Sequence, residues 1–146
     1  MNHKIFFFWG ILGTFFSLVL EILLQPIIPS NQSFLWTTTP LPAFVEEVVK
    51  FVLLWKLSIN ISNKKDIIIG SLLLGLGFSS AEILLNIFRI NQLHPGFLGL
   101  TTIHTITSLL AGYFLWDYHK KKQTALLLIL FANIFIHILY NEFITL

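Results

Sequence analysis

Long apolar runs dominate this chain of 146 residues and restrict what it can fold into. Hydrophobic side chains make up 55% of the residues and charged side chains only 11%, which is far from the composition of a soluble domain. About 20 apolar residues in a helix cross the hydrocarbon core of a bilayer, so the chain has room for about five crossings with short connections. We therefore predict an all-α fold, in which residues 1–146 form a single integral membrane domain that is a polytopic helix bundle.

Proline, glycine and polar residues divide the apolar sequence into five segments. Pro26 and Pro29 end the first segment, and Pro40 and Pro42 stand at the start of the second, where a helix tolerates proline. Pro95 and Gly96 break the chain before the fourth. The first run is too long for the apolar core of a signal peptide, so we expect it to be retained. The predicted spans are 5–28, 41–57, 67–88, 97–116 and 124–144.

Basic residues predict how the bundle is oriented. Lysines gather near the second and fourth connections (Lys56, Lys64, Lys65, Lys120, Lys121 and Lys122). Arg89 is the one cation expected in the connections on the other side. The positive-inside rule then predicts the N-terminus in the cytoplasm and the C-terminus outside. These short basic connections explain the net charge of +2 without any nucleic-acid partner, and the lack of cysteine excludes disulfides, thiolate metal sites and a Cys nucleophile.

The second predicted span carries ionisable residues that an anchor would not need. Glu46, Glu47 and Lys50 lie in an otherwise apolar run, and each costs about 2.5–3.5 kcal/mol at the centre of a membrane helix. The spacings of Glu46 and Glu47 from Lys50 also suit an ion pair within the helix. Such a pair would account for Lys50 and one glutamate, but it would leave the other glutamate unexplained.

Acidic and imidazole side chains from all five spans fall at one depth. Counted from the outer end of each span, they lie about six or seven residues inside, which is about 8–11 Å below the outer surface. We predict one shared site, because unrelated polar residues would scatter in depth. This layer contains Glu21, Glu46, Glu47, Glu82, His104 and His137, with Asn86 and Asn141 one turn away.

Structural explanations exist for several members of this layer. Glu82 could be a protonated acid bonded to a neighbouring helix, and His104 could be an interhelical hydrogen-bonding residue. His137 with Asn141 could serve packing, and Glu21 could be structural or reach towards the interface. Asn86 is expected to support the site rather than to do chemistry. The joint occurrence of these residues favours a functional site.

Two chemistries suit glutamates and histidines inside a membrane. In the first, Glu46 or Glu47 takes a proton from water, a His or Asn donates to the developing oxyanion, and Lys50 keeps one glutamate ionised. In the second, Glu47, Glu82, His104 and His137 hold a divalent metal such as zinc, which activates water. The sequence requires no metal and leaves both open. No serine has the context of a nucleophile elbow.

At these motifs the chain resembles the PrsW-type intramembrane proteases, which are grouped with the type II CAAX prenyl proteases and the Abi-type membrane proteins. The matching pattern is Glu-Glu-x-x-Lys at residues 46–50, then Phe-x-x-x-Glu from Phe78 to Glu82, then His104 and His137. The glycine-rich context of residues 75–82 looks like the second motif of the family. His137 and Asn141 fit the His-x-x-x-Asn pattern of the CAAX relatives.

The resemblance implies a membrane endopeptidase in the bacterial cell membrane. In PrsW-type members the glutamate pair and the histidines are taken to be essential, and the known role is cleavage of a membrane-anchored anti-sigma factor. In the CAAX relatives a glutamate activates water and the His-x-x-x-Asn motif stabilises the oxyanion. Glu82 stands where those relatives have histidine, which disfavours a prenyl-protein substrate. We expect a bilayer-anchored protein substrate, cut near the extracytoplasmic face.

Two other functions use the same residues differently. A non-catalytic Abi-like binding or immunity protein would keep the motifs without hydrolysis. A small proton-coupled carrier would relay protons through the glutamates and histidines. A carrier needs a polar path to both faces, whereas the inner halves of the spans are nearly all apolar.

Overall fold

The computed structural model describes residues 3–24, 40–90, 96–121 and 126–144. Within these ranges all regular structure is helical, and no strand occurs. The five helices are α1 (Lys4–Leu24), α2 (Pro40–Ser58), α3 (Lys64–Ile90), α4 (Gly96–Lys121) and α5 (Leu126–Ile144). The prediction of an all-α helix bundle is therefore confirmed.

Four of the five described helices are long and apolar enough to cross a membrane, and they make this an integral membrane protein. These are α1, α3, α4 and α5. The exception, α2, has 19 residues, but Glu46, Glu47, Lys50 and Lys56 lower its mean hydropathy. Glu47 and Lys50 are buried inside the bundle, so lipid does not meet their charges. That α2 also crosses the membrane stays a prediction.

The helices extend beyond the predicted spans at their lysine-bearing ends. Asn63 caps α3, because its side-chain Oδ1 accepts a hydrogen bond from the backbone N–H of Lys65 at 3.0 Å. Asp66 lies in the first turn, where the helix dipole favours an acidic group. α4 continues to Lys121, well past the predicted end at residue 116. Lysines predicted in connections thus belong to helix ends, while residues 25–28, 122 and 124–125 lie outside the described residues.

Small residues let α3 pack closely against the helices on both of its sides. A Cβ atom on Gly77 would overlap the backbone of α1 at Phe7, and one on Gly10 would overlap the backbone of α3 at Leu74. On the other side, a Cβ on Gly75 would come within 2.6 Å of the carbonyl oxygen of His104 in α4. Such close approach is how membrane helices gain packing energy, since lipid chains are as apolar as leucine.

α2 lies at the centre of the bundle and contacts all four other helices. Its residues Val45 and Val49 pack with Phe78 of α3, and Leu54 packs nearer the lysine-bearing end. The outward faces of α1 and α5 are apolar and exposed, as expected for lipid contact; they include Phe8, Leu12, Phe16, Leu127, Leu128 and Phe131.

Polar contacts join the helices at the lysine-bearing end. His3 before α1 lies 3.0 Å from Asp66 in α3, and Ser58 at the end of α2 lies 3.0 Å from His119 in α4. These contacts bring the starts of α1 and α3 to the same side as the ends of α2 and α4. The alternating directions of α1, α2, α3 and α4 are thereby established, while the assignment of this side to the cytoplasm stays a prediction.

Candidate active site

The polar faces of four helices meet in a buried cluster. α2 supplies Glu46, Glu47 and Lys50, α3 supplies Glu82, α4 supplies His104 and Thr107, and α5 supplies Asn133 and His137. Lys50, Glu47, His104 and His137 are each at most 2% exposed. The two imidazole rings lie with their centroids 5.0 Å apart. The cluster therefore has the composition and the burial of a reaction centre rather than of a solvated surface.

Lys50 is the most heavily bonded cation of the cluster. Its ammonium forms a salt bridge with Glu47, donates to the Thr107 hydroxyl at 2.9 Å, and lies 3.0 Å from Nδ1 of His104. An ammonium has three N–H groups, and these three acceptors satisfy all of them. Because an unpaired buried charge is costly, this arrangement explains how the lysine is tolerated.

Glu47 is buried and is held by contacts with three other side chains. Its Oε1 forms the salt bridge with the Lys50 ammonium and accepts a hydrogen bond from the Thr107 hydroxyl at 3.1 Å. The same oxygen lies 2.8 Å from Nδ1 of His137. The sequence allowed Lys50 to pair with either Glu46 or Glu47, and in the structure it pairs with Glu47. Glu47 therefore supports the site by holding Lys50, Thr107 and His137 in place.

Glu46, by contrast, points a free carboxylate oxygen at both histidines. Its Oε2 is buried and has no hydrogen-bond partner among the described residues. This oxygen lies 3.7 Å from Nε2 of His137 and 3.9 Å from Nε2 of His104. These separations are too long for direct hydrogen bonds, and they leave room for a bound species between the three groups.

The donor atoms of Glu46, His104 and His137 fit a divalent metal. One ligand atom from each residue lies within 4.8 Å of the others. Two imidazole nitrogens and a carboxylate oxygen form a set that zinc takes. Behind His137, the contact with Glu47 is the carboxylate–histidine pairing that commonly orients a metal ligand. Glu47 and Glu82 were predicted from the sequence to join the two histidines in this set, whereas Glu46 is the glutamate that lies beside both histidines in the structure.

Glu82 and Phe78 complete the walls of the site from α3. Oε2 of Glu82 lies 2.5 Å from Nε2 of His104, and the Glu82 side chain is 24% exposed. Phe78 is fully buried, with its ring centroid 5.1 Å from that of His104 and 5.2 Å from Nζ of Lys50. Glu82 is therefore the member of the cluster with the most access to the surroundings, and Phe78 packs against His104 and Lys50.

The remaining predicted residues lie around this centre. Glu21 of α1 is buried. Asn86 and Asn141 are half-buried, one helical turn beyond Glu82 and His137. Among the described residues, no hydrogen bond links Asn86 to the cluster. The chemical roles of all these residues stay predictions.

Thr107 was not predicted from the sequence as a member of the site. This residue is fully buried, and its hydroxyl bridges Lys50 and Glu47. Its backbone carbonyl accepts a hydrogen bond from the Asn133 side chain of α5 at 2.8 Å. The available signal was its position three residues after His104, which puts both on one helix face. Threonine is common in membrane helices, and the neighbouring Ser108, four residues after His104, lies on the same helix face.

Apolar helices that enclose carboxylates, imidazoles and one lysine define a membrane-embedded protein with a candidate hydrolytic centre. The family model described as PrsW family intramembrane metalloprotease matches residues 3–146. The chain belongs to this family, which confirms the resemblance to the PrsW-type proteases, while the wider relation to the CAAX and Abi-type proteins stays a prediction. It is accordingly a membrane peptidase, and its substrate is a membrane protein in the bilayer. Comparison with curated proteins and with solved structures gives no match.

Proposed function

We propose that this chain is an endopeptidase that cuts a membrane-anchored protein near the extracytoplasmic face, with Glu46 as the general base. The observation that carries the proposal is the unpartnered, buried Oε2 of Glu46, which faces both histidines. A base must have a free lone pair where the water sits, and the unpartnered Oε2 of Glu46 offers one, whereas Oε1 of Glu47 already accepts three donors.

The reaction proceeds by attack of water on a peptide carbonyl. Glu46 takes one proton from the water, the water oxygen bonds to the carbonyl carbon, and the carbonyl oxygen gains negative charge. An N–H from His104 stabilises that oxyanion. Glu46 then gives its proton to the leaving nitrogen, the C–N bond breaks, and the carboxylate is restored. The spacing of His137 and Asn141, which resembles the oxyanion motif of the CAAX relatives, supports Asn141 as a second donor.

The family description names a metalloprotease, and the donor set supports that chemistry. Glu46, His104 and His137 are the residues that would hold the ion. A divalent metal such as zinc polarises a bound water and lowers the cost of deprotonating it. Glu47 orients His137 through its contact with Nδ1 whether or not a metal takes part. His104 would have to release Glu82 before its Nε2 became a ligand.

The proposed setting is the bacterial cell membrane. The lysine-bearing end of the bundle then lies in the cytoplasm, by the positive-inside rule, and the site lies in the outer half of the bilayer. That depth suits cleavage of an anchored protein just outside its membrane segment, as in an anti-sigma-factor-like substrate. In this proposal residues 1–146 act as a single membrane domain. The motif pattern of that domain supports a wider relation to the CAAX and Abi-like proteins.

The direct test is cleavage by purified protein in detergent. The substrates are membrane-anchored peptides with short external segments, supplied to wild type, Glu46→Gln and the control variant Glu142→Gln, whose glutamate is exposed at the end of α5. Wild type and Glu142→Gln should cleave, and Glu46→Gln should not. Metal content and inhibition by 1,10-phenanthroline separate metal-assisted from purely carboxylate-assisted hydrolysis. Equal behaviour of wild type and Glu46→Gln would exclude Glu46 as the base.

A further inference from the structure

Two lysines at the lysine-bearing end of the bundle are held on aromatic rings. Nζ of Lys64, the first residue of α3, lies 4.3 Å from the centre of the Tyr113 ring. Nζ of Lys120 lies 4.8 Å from the centre of the Trp116 ring. An ammonium within about 6 Å of a ring centre is attracted by the ring electrons. The rings therefore restrict the positions of two long, flexible side chains, and we call these four residues the basic–aromatic patch.

The two ammoniums of the patch have no carboxylate beside them. Both lysines are exposed, and among the residues that the structure describes neither forms an ion pair. Asp66, close to Lys64 in the sequence, lies 3.0 Å from His3 of the chain segment before α1. Asp117 of α4 has an interaction of its own. The patch therefore presents two positive charges that no described carboxylate pairs with.

Close packing of α3 on α4 fixes the frame of the patch. Tyr113 and Trp116 are three residues apart on α4, so their rings lie on one side of that helix. Lys64 reaches this side from α3. Next to Tyr113, a Cβ atom on Gly112 would overlap Oγ of Ser71 in α3, so the two helices are already in contact there. The two ammoniums are thus carried by helices whose separation cannot shrink.

Apolar surface continues from the patch along α4. Ile106 lies two turns before Tyr113 on the same side of the helix, and these residues are 44% and 46% exposed. Tyrosine and tryptophan are also typical of the depth at which lipid headgroups begin. A pair of positive charges followed by an apolar strip matches the two parts of a phospholipid, the headgroup phosphate and the acyl chain. A free phosphate ion would use only the first part.

We propose that the basic–aromatic patch binds an anionic phospholipid. The headgroup phosphate lies between the ammoniums of Lys64 and Lys120, and an acyl chain lies on the exposed side of α4 near Ile106. Basic groups on neighbouring membrane helices at headgroup depth are known to attract anionic lipids in this way. The proposal does not depend on the proposed function, because the patch is at the end of the bundle away from Glu46 and its occupation requires no cleavage.

The first test is native mass spectrometry of the full chain in detergent micelles. The probes are palmitoyl-oleoyl phosphatidylglycerol, which is anionic, and phosphatidylcholine with the same acyl chains. Wild type should bind phosphatidylglycerol more tightly. Lys64→Gln and Lys120→Gln should each weaken that binding about fivefold, and the double variant about 25-fold, because each lysine at headgroup depth contributes about that factor. Equal affinity of wild type for the two lipids would overturn the proposal.

The matched control removes the same charge at the same end of the bundle but from α2. Lys56 is exposed near the end of that helix, so Lys56→Gln should fold and should bind phosphatidylglycerol like wild type. An equal loss in Lys56→Gln would show that the lipid responds only to total charge. No loss in the Lys64→Gln, Lys120→Gln double variant would show that the lipid binds elsewhere. Either result would overturn the proposal.

A second pair of variants tests the ring without changing the charge. Tyr113→Phe keeps the ring under Lys64, whereas Tyr113→Leu removes it. Phosphatidylglycerol binding should persist in the first variant and weaken in the second, because the ammonium is then no longer held in place. Thermal unfolding in lipid-free micelles checks that both variants fold. Equal binding by the two variants would overturn the patch as the site.

A competition experiment separates a lipid from a free anion. Inorganic phosphate at the concentration of the lipid should leave bound phosphatidylglycerol in place, because it has no acyl chain to contact α4. Displacement of the lipid by an equal concentration of inorganic phosphate would show a simple anion site and would overturn the assignment of the patch to a phospholipid.

Discussion

The two adjacent glutamates of α2 occupy different environments, because successive residues on a helix point about 100° apart. Glu47 is 2% exposed and tied to Lys50, whereas the buried Oε2 of Glu46 is unpartnered. Glu46→Gln should therefore lower cleavage by about 10²–10⁴-fold and leave stability nearly unchanged. Glu47→Gln should cost about 3–5 kcal/mol of stability, because it leaves the Lys50 charge uncompensated. Cleavage assays and unfolding in SDS–detergent mixtures measure both effects; a Glu47→Gln variant as stable as wild type would contradict the assignment.

The Glu47–Lys50 pair also predicts strong non-additivity. Lys50→Met leaves a buried carboxylate without its cation, just as Glu47→Gln leaves a buried ammonium without its anion. The double variant removes both charges, so it should be more stable than Lys50→Met alone, with a coupling energy of about 0.5–3 kcal/mol. The measurement is a double-mutant cycle of unfolding free energies. Additive losses would mean that the two charges do not stabilise each other.

At the scale of the helix, the sequence determined which segments are helical but not how each one is rotated. Apolar runs and prolines located all five helices to within a few residues on most boundaries. The i,i+3 spacing of Glu47 and Lys50 correctly suggested their ion pair. Which of the two glutamates would face the histidines depended on the rotation of α2 against α4 and α5, and no local pattern encodes it. Thr107 was missed for the same reason, because its hydrogen-bond partners, Lys50 and Glu47, lie on another helix.

The seam between α1 and α3 offers a test of how helix packing supports the site. Gly77 lies against the backbone carbonyl of Phe7, which cannot move aside, while Gly70 on the same helix meets the side-chain ring of Phe6. Gly77→Ala should cost about 1–3 kcal/mol of stability, because it forces the two backbones apart. It should also lower cleavage, since the next residue is Phe78, which packs on His104. Gly70→Ala, measured by the same unfolding assay, should cost less; an equal or smaller cost for Gly77→Ala would contradict the role of backbone contact.

At the scale of the whole molecule, the depth of the polar residues was the most informative signal in the sequence. Glu46, Glu82, His104 and His137 come from four helices, yet they were expected in one layer, and the structure brings them together. Depth follows from residue counting, because the rise of a helix is fixed. The hydrogen-bond partner of each ring nitrogen does not follow from counting. It depends on distances of about 3 Å between helices that are remote in sequence, which is why the contacts of His104 with Lys50 and of His137 with Glu47 could be seen only in the structure.

The orientation of the bundle decides which side of the membrane a substrate must approach. The chain contains no cysteine, so single introduced cysteines report accessibility without background. Asn60→Cys lies in an exposed turn between α2 and α3 at the lysine-bearing end, and Glu142→Cys is exposed near the end of α5. The positive-inside rule predicts that a membrane-impermeant maleimide labels Glu142→Cys in intact cells, and labels Asn60→Cys only after permeabilisation. The cysteine-free wild type gives the background. Labelling of Asn60→Cys in intact cells would reverse the bundle, put the Glu46 site nearer the cytoplasm, and contradict cleavage at the extracytoplasmic face.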